Sequence, residues 1–175
     1  SAGITDVRVE RVSGNLTDHY SPREKVLRLS DSVYSSTSVA AVGVAAHECG
    51  HAIQHQHGYA PLKLRSLSVP LANIGSTLSW PIIVLGLIFS WYSVVDLGIL
   101  LFVVVVFFQF ITLPVEINAS RRALGVLEKD GILGSQELGG ARKVLIAAAF
   151  TYVAALLNAI LQLLRLVLIR NSRRR

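Results

Sequence analysis

The chain has 175 residues, enough for one domain and not comfortably for two. Hydrophobic residues make up 52% and charged residues only 16%, compared with about 25% charged residues in an average globular domain. These proportions exclude a disordered chain and argue against a small soluble domain, so they favour a membrane protein. A single cysteine excludes a disulfide framework and a four-cysteine zinc site within one chain. Because the chain contains no Met, we expect that a segment precedes Ser1 in the natural protein.

The net charge of +6 comes from 17 Lys and Arg residues against 11 Asp and Glu residues. The basic residues form short clusters beside apolar segments, such as Lys63 with Arg65 and Arg121 with Arg122. Clusters of this kind are typical of membrane proteins, whereas nucleic-acid binding needs a basic face with aromatic or groove-reading elements. We therefore expect the lipid bilayer, and not nucleic acid, as a partner.

Two segments near the N-terminus alternate apolar and polar residues, which is the pattern of a half-buried strand. They are residues 7–12 (V-R-V-E-R-V) and residues 25–29 (K-V-L-R-L), with turn-forming residues between them. The pattern predicts a small antiparallel sheet or hairpin. A helix should follow over residues 38–57, because serines that can cap it precede it and Gly58 can end it in a left-handed conformation.

The predicted helix contains His47-Glu48-Cys49-Gly50-His51, a match to the H-E-x-x-H pattern. Residues four apart share a helix face, so the imidazoles of His47 and His51 can reach one tetrahedral zinc ion. Glu48 lies beside the position that these ligands leave open, where it can take a proton from water and give it to a leaving amine. The motif predicts one catalytic Zn2+ with Glu48 as the catalytic residue. The alternative is two surface histidines on an amphipathic helix.

A catalytic zinc ion usually has three protein ligands, and His57 is one candidate for the third. Its spacing from His47 is that of the third histidine in the metzincin pattern H-E-x-x-H-x-x-G-x-x-H. That pattern needs a glycine where this chain has Gln54, and it needs a Met-turn, which a chain without Met cannot form. We therefore expect the helix to continue through Gln54 and His57 to lie exposed at its end.

Three later segments are long and apolar enough to be transmembrane helices, which need about 20 apolar residues. We predict spans over about residues 67–90, 97–113 and 144–169. Asp96 lies in the predicted turn between the first two spans. Pro81 lies inside the first span, where a proline is expected to kink a helix.

Glu116, just past the second span, is the other candidate for the third zinc ligand. Because the first span crosses the membrane and the second returns, Glu116 should emerge on the same side as His47 and His51. A carboxylate at a membrane interface is costly if it is buried without a role. With two histidines on the same side in need of a ligand, Glu116 is favoured over His57.

The segment 114–143 should contain a helix, a turn at Asp130-Gly131 and a glycine-rich link at Gly139-Gly140. We divide the chain into an N-terminal catalytic part, residues 1–65, and a membrane part, residues 66–175, which includes this third-ligand segment. We expect one integrated domain. The predicted fold class is a mainly α membrane protein with three transmembrane helices, a small N-terminal sheet and an H-E-x-x-H helix.

Several runs of residues carry a family resemblance over nearly the whole chain. They are residues 18–22 (D-H-Y-S-P) with 27–30 (L-R-L-S), 45–54 (A-A-H-E-C-G-H-A-I-Q), 58–65 (G-Y-A-P-L-K-L-R), 113–116 (L-P-V-E) with 119–123 (A-S-R-R-A), and 147–149 (A-A-A) with 151–155 (T-Y-V-A-A). On these runs the chain resembles the YugP-like bacterial neutral zinc metallopeptidases. The resemblance implies an integral membrane metalloprotease of gluzincin type, with zinc bound by His47, His51 and Glu116 and with Glu48 catalytic. It also implies a further hydrophobic helix before Ser1.

One position departs from larger gluzincin-like membrane proteases. Four residues after the ligand glutamate they commonly carry an Asp that holds a zinc-bound histidine, and this chain has Ser120 there. Ser120 or Asn118 could make a weaker hydrogen bond of the same kind. Tyr59 is a candidate donor to the oxyanion, beside His55 and Arg121, and the sequence does not choose among them.

The predicted function is that of an integral membrane zinc-dependent endopeptidase that hydrolyses peptide bonds of protein substrates. The alternative is a non-catalytic membrane zinc-binding or assembly protein with a structural site, which would need a fourth protein ligand from His55, His57 or Cys49. The positive-inside rule slightly favours an active site on the cytoplasmic side of the cell membrane, although the arginines at the C-terminus argue for the reverse. An oligomer or a regulatory membrane partner is compatible with the sequence.

Overall fold

The computed structural model describes residues 3–173, without the side chain of Arg173. Helices dominate the chain, three of them are long and apolar enough to cross a membrane, and a three-stranded sheet lies near the N-terminus. The predicted fold class is therefore confirmed. In chain order the elements are β1 (Arg8–Val12), β2 (His19–Ser21), β3 (Val26–Ser30), α1 (Asp31–Tyr34), α2 (Val39–Gln56), α3 (Ala60–Ile88), α4 (Tyr92–Lys129) and α5 (Ser135–Arg173).

The chain divides into two compact units. The first comprises Ser1–Lys63 and Pro114–Phe150, and the second comprises Leu64–Leu113 and Thr151–Arg175. The first unit therefore contains the sheet, α2 and the part of α4 that carries Glu116. The second unit contains most of the long apolar stretches of α3, α4 and α5.

The sheet has the strand order β1-β3-β2. Strand β1 pairs with β3 in parallel, with Val9 opposite Leu27, and β2 pairs with β3 antiparallel, with Tyr20 opposite Leu27. The expected antiparallel pairing of residues 7–12 with residues 25–29 is wrong. The short strand β2 forms the antiparallel hairpin with β3, so β1 pairs with the opposite edge of β3. As the central strand, β3 is the most buried of the three.

Helix α2 begins and ends where the sequence predicts. The hydroxyl of Ser38 accepts a hydrogen bond from the backbone N–H of Ala41 at 3.2 Å, which caps the first turn. At the other end Gly58 has φ of +62°, and the N–H of Tyr59 donates to the carbonyl of Gln54 at 2.9 Å. This is the glycine-terminated arrangement that satisfies the last carbonyls of a helix.

Helix α5 begins earlier than expected, so the glycine-rich link predicted at Gly139-Gly140 is wrong. The carboxylate of Glu137 accepts a hydrogen bond from the N–H of Gly134 at 2.9 Å, which caps the helix ahead of both glycines. Gly140 then faces α2 closely, since a β-carbon there would lie 3.1 Å from a side-chain carbon of Val39. This glycine serves close helix packing rather than a turn.

The turn predicted at Asp130-Gly131 is confirmed. Gly131 has φ of +62°, and the N–H of Ile132 donates to the carbonyl of Leu127 at 3.1 Å, which ends α4. The core of the first unit lies among α2, α4 and α5 and consists largely of small side chains: Ala46, Ala123, Leu127, Ala141 and Leu145.

In the second unit the three long helices pack on one another through the buried residues Ile83, Val95, Phe102 and Leu166. Glycine permits the closest approach, because a β-carbon at Gly98 would lie 2.5 Å from the side chain of Ile83. Many large apolar side chains of this unit point outward, as expected of helices surrounded by lipid.

Helices α4 and α5 extend beyond the predicted spans 97–113 and 144–169 at both ends, because hydropathy marks the apolar part of a helix and not its ends. Helix α3 begins before the predicted span 67–90 but ends at Ile88, two residues short of it. Asp96, expected in a turn, lies within α4. Its carboxylate receives two hydrogen bonds from the guanidinium of Arg170 on α5, each 2.8 Å long, and such a paired carboxylate is tolerated in a helix.

Candidate metal centre

Three side chains of the first unit converge: His47 and His51 from α2 and Glu116 from α4. One carboxylate oxygen of Glu116 lies 3.0 Å from Nε2 of His47 and 3.5 Å from Nε2 of His51. The two imidazole rings are nearly perpendicular, with centroids 4.8 Å apart. All three potential ligand atoms lie within 4.8 Å of one another. A single ion could therefore contact all three side chains.

Local sequence explains why the two helices bring these groups together. The spacing of four residues places His47 and His51 on one face of α2. Between them, Gly50 presents bare backbone to α4, and a β-carbon there would lie only 2.3 Å from the carbonyl oxygen of Ala119. The backbones can then approach closely enough for Glu116 to reach both imidazoles.

Each imidazole has a partner for its remaining nitrogen. Nδ1 of His47 lies 3.0 Å from the hydroxyl of Ser120, and Nδ1 of His51 lies 3.0 Å from the amide oxygen of Gln54. Partners of this kind hold metal-binding histidines in the orientation that ligation needs. Ser120 was among the candidates from the sequence.

Glu48 is buried on α2, with 8% of its surface exposed. Burial raises the pKa of its carboxyl group. The imidazoles of His51 and His47 oppose this rise, Glu116 adds to it, and a hydrogen bond from the backbone of Tyr20 again opposes it. The net result is a raised pKa, which makes the Glu48 carboxylate a stronger proton acceptor than an exposed glutamate.

His51 is also buried, and burial by itself lowers the pKa of its imidazole. The hydrogen bond and the negative charge of Glu116 outweigh burial, with smaller contributions from Glu48 and Gln54, so the pKa of His51 is raised. The negative charge of Glu116 therefore favours the protonated form of the His51 imidazole.

The other predicted site residues, Asn118 and Tyr59, contact Gln54 and Arg122. The side-chain oxygen of Asn118 accepts hydrogen bonds from Nε2 of Gln54 at 3.0 Å and from Nε of Arg122 at 2.8 Å. Tyr59 packs under the guanidinium of Arg122, with 5.9 Å from Cζ to the ring centroid. Nδ1 of His57 lies 3.3 Å from the same guanidinium.

The proposed fourth ligands of a structural zinc site do not join the group. Within residues 3–173, the convergent set contains His47, His51 and Glu116, and not His55, His57 or Cys49. His55 instead contacts the hydroxyl of Tyr20 through Nδ1, at 2.9 Å. The structural-site alternative therefore lacks its fourth ligand among the described residues.

Gln54 is the residue that the sequence interpretation missed. It entered that interpretation only as the residue that replaces the metzincin glycine, yet it is fully buried and contacts His51 directly. Its position three residues after His51 was an available signal, because residues three apart on a helix lie on the same face.

The donor set itself is informative about which ion could bind. Two imidazole nitrogens and one carboxylate oxygen are ligands that zinc prefers, whereas magnesium and calcium favour oxygen atoms alone. Three protein ligands also leave a fourth tetrahedral position open, as in catalytic zinc sites and unlike closed structural ones. The residues present therefore fit a catalytic zinc ion.

Comparisons with known proteins agree with this chemistry. Residues 1–171 match the model of a family described as "Putative neutral zinc metallopeptidase". The chain is also 47% identical over 167 residues to the "Putative membrane protease YugP" of Bacillus subtilis, an alignment that covers 95% of this chain and 74% of that protein. No solved structure matches it significantly. The chain belongs to this family of neutral zinc metallopeptidases, as the resemblance of its sequence predicted.

Proposed function

We propose that the protein is an integral membrane zinc endopeptidase of gluzincin type that hydrolyses peptide bonds of protein substrates. One zinc ion would be held by His47, His51 and Glu116, and Glu48 is the catalytic base. The observation that carries the proposal is the position of the Glu116 carboxylate, 3.0 Å and 3.5 Å from the two Nε2 atoms of the motif. The family and the relative named as a membrane protease support the same activity.

The residues of the site have distinct tasks in this reaction. When bound, zinc supplies a Lewis acid that polarises a carbonyl group and lowers the pKa of a water molecule to about 7. Glu48 accepts the proton of the attacking water and delivers it to the leaving amine. Its raised pKa suits both steps, because the group must first take up the proton and then release it. Ser120 and Gln54 hold the two imidazole rings.

We also propose that different parts of the chain have different roles. Residues 1–65 supply the catalytic helix, the segment 114–143 supplies the third ligand, and the rest of residues 66–175 anchors the protein in the membrane. The first compact unit supports this division, because it includes both the H-E-x-x-H helix and Glu116.

The basic clusters beside the apolar segments support an active site on the cytoplasmic side. A reporter fused to the C-terminus would test this orientation. With three spans, we expect the reporter on the side of the membrane opposite to the active site, and a cytoplasmic reporter would contradict the proposal.

Two substitutions test the proposed chemistry in lipid or detergent. Glu48→Gln should keep zinc binding and lose hydrolysis of an unfolded protein substrate, because the amide cannot accept the proton. Glu116→Ala should lose zinc affinity, while His57→Ala should keep it. Wild-type zinc affinity in Glu116→Ala together with a loss in His57→Ala would show that the ligand assignment is wrong. Hydrolysis by Glu48→Gln at the wild-type rate would contradict the mechanism.

A further inference from the structure

Gln54 is a fully buried polar residue, and both the oxygen and the nitrogen of its side-chain amide have hydrogen-bond partners. Its oxygen Oε1 lies 3.0 Å from Nδ1 of His51. Its nitrogen Nε2 donates to the backbone carbonyl of Val115 at 2.8 Å and to the side-chain oxygen of Asn118 at 3.0 Å. Buried polar groups are costly unless they form hydrogen bonds, so these contacts hold the amide in one place.

The orientation of this amide follows from the chemistry of its neighbours. The carbonyl of Val115 can only accept a hydrogen bond, so it must face the NH2 group of Gln54. The oxygen of Asn118 is fixed in the same way, because it also receives the Nε–H of Arg122, which can only donate. Both neighbours require Nε2 of Gln54 on their side, which directs Oε1 toward His51.

This orientation selects one form of the His51 ring. An amide oxygen can only accept, so Nδ1 of His51 must carry the proton and donate it. In the neutral ring, Nε2 then has a free lone pair, and Nε2 is the atom that lies 3.5 Å from Glu116. His47 differs, because its Nδ1 contacts the hydroxyl of Ser120, which can donate or accept.

We propose that Gln54 is a positioning residue that fixes His51 with its proton on Nδ1, so that Nε2 is available to the metal. Through Val115 the same amide is tied to the backbone beside Glu116, so it also aligns the third ligand with the second. The inference rests on the proposed zinc site and adds to it a residue that contacts neither the ion nor the substrate.

The test separates the acceptor role of Gln54 from its packing role. Gln54→Met keeps the length and approximate volume of the side chain but has no hydrogen-bonding oxygen. Gln54→Glu keeps an acceptor for His51 while it loses both donors to α4. Gln56→Met is the matched control, because it makes the same change on the same helix at an exposed position. Zinc affinity is measured by competition with a chelator, and circular dichroism confirms that each variant is folded.

A second measurement reports on the proton directly. In zinc-loaded protein labelled with 15N-histidine, the His51 ring proton should appear on Nδ1 and should exchange slowly with solvent. Gln54→Met should lose this protection and bind zinc about 10–100-fold more weakly, the range found when partners of ligand histidines are removed. Gln54→Glu should keep the protected proton and lose less zinc affinity than Gln54→Met, because it loses only the donors to α4. Gln56→Met should match wild type.

The outcomes distinguish this inference from the proposed function. Wild-type protein that does not bind zinc would overturn both. Two outcomes would overturn the positioning role alone, provided that the wild-type protein binds zinc. One is an unchanged zinc affinity in Gln54→Met, and the other is an equal loss of zinc affinity in Gln54→Met and Gln54→Glu. If Gln54→Met does not fold, the spectrum of the wild-type protein still decides, since an unprotected Nδ1 of His51 would contradict the inference.

Discussion

The backbones of Gly50 and Ala119 lie in close contact, and a β-carbon at position 50 would lie 2.3 Å from the carbonyl oxygen of Ala119. No side chain can be added there unless α2 and α4 move apart. Because the metal ligands lie on these same two helices, their separation would open the candidate zinc site as well. The glycine within the H-E-x-x-H motif is therefore a packing residue for the site.

Gly50→Ala should be destabilising, although Gly→Ala in an unobstructed helix normally stabilises it by about 0.5–1 kcal/mol. Overpacking of this kind typically costs about 1–3 kcal/mol, and zinc affinity should fall with it. Gly125→Ala, on α4 with nothing within 4 Å of the new carbon, is the matched control and should be neutral or stabilising. Thermal unfolding and zinc titration would check both variants, and equal stability of the two would contradict the packing argument.

Ser120 should contribute to zinc affinity through its hydrogen bond to His47. Ser120→Ala removes the partner of Nδ1 and should weaken zinc binding by about 10-fold, the lower end of the usual range, because a neutral hydroxyl is a modest partner. Ser120→Asp should bind zinc at least as tightly as wild type, since a carboxylate is a stronger acceptor. Ser68→Ala, at an exposed hydroxyl bonded to its own helix, serves as the control in the same chelator competition.

Zinc affinity should depend on pH through His51. Glu116 raises the pKa of this imidazole, and zinc needs the unprotonated ring, so affinity should fall as pH drops below the raised pKa. The folding stability of the metal-free protein should show the opposite pH dependence. The raised pKa of His51 stabilises the fold at low pH, and this contribution is lost as pH rises through that pKa.

The variant Glu116→Gln separates the charge effect from ligation. Without the negative charge the proton on His51 is held less tightly, so the midpoint of the pH dependence should move to lower pH. Affinity at every pH should also be lower than in wild type, because a ligand is lost. Chelator competition over a series of pH values would measure both effects, and an unchanged midpoint would show that another group governs the titration.

In the second unit, Asp96 and Arg170 should stabilise the packing of α4 and α5. The carboxylate of Asp96 and the guanidinium of Arg170 form two hydrogen bonds, and replacement of either residue removes both. Asp96→Arg should lower the thermal unfolding midpoint in detergent, and the exchanged pair Asp96→Arg with Arg170→Asp should recover part of the loss. A double variant no better than the single one would indicate that the pair contributes nothing.

The parts of the structure that follow from local periodicity could be predicted from the sequence. The spacing of His47 and His51, the cap at Ser38 and the end at Gly58 all depend on residues within one or two helical turns. Glu116 needed one further step, that two consecutive spans return the chain to the side from which it left. The inferences about His47, His51 and the ends of α2 use geometry that a short segment determines by itself.

The features that the sequence did not reveal depend on contacts between distant segments. The parallel pairing of β1 with β3 depends on the short strand β2, which has too few residues to show alternation. Gly139 and Gly140 resemble a linker unless the cap at Gly134 and the neighbouring Val39 are known. The role of Gln54 requires the position of Val115, which is remote in sequence and belongs to another helix.

The separation of the ligands along the chain has a consequence for how the protein is made. His51 precedes both of the first two apolar helical stretches and Glu116 follows them, so the complete ligand set exists only after both stretches have been synthesised and placed. Metal loading would thus be a late event in biogenesis, and a chain interrupted during insertion would carry two histidines without the carboxylate that completes the candidate metal centre.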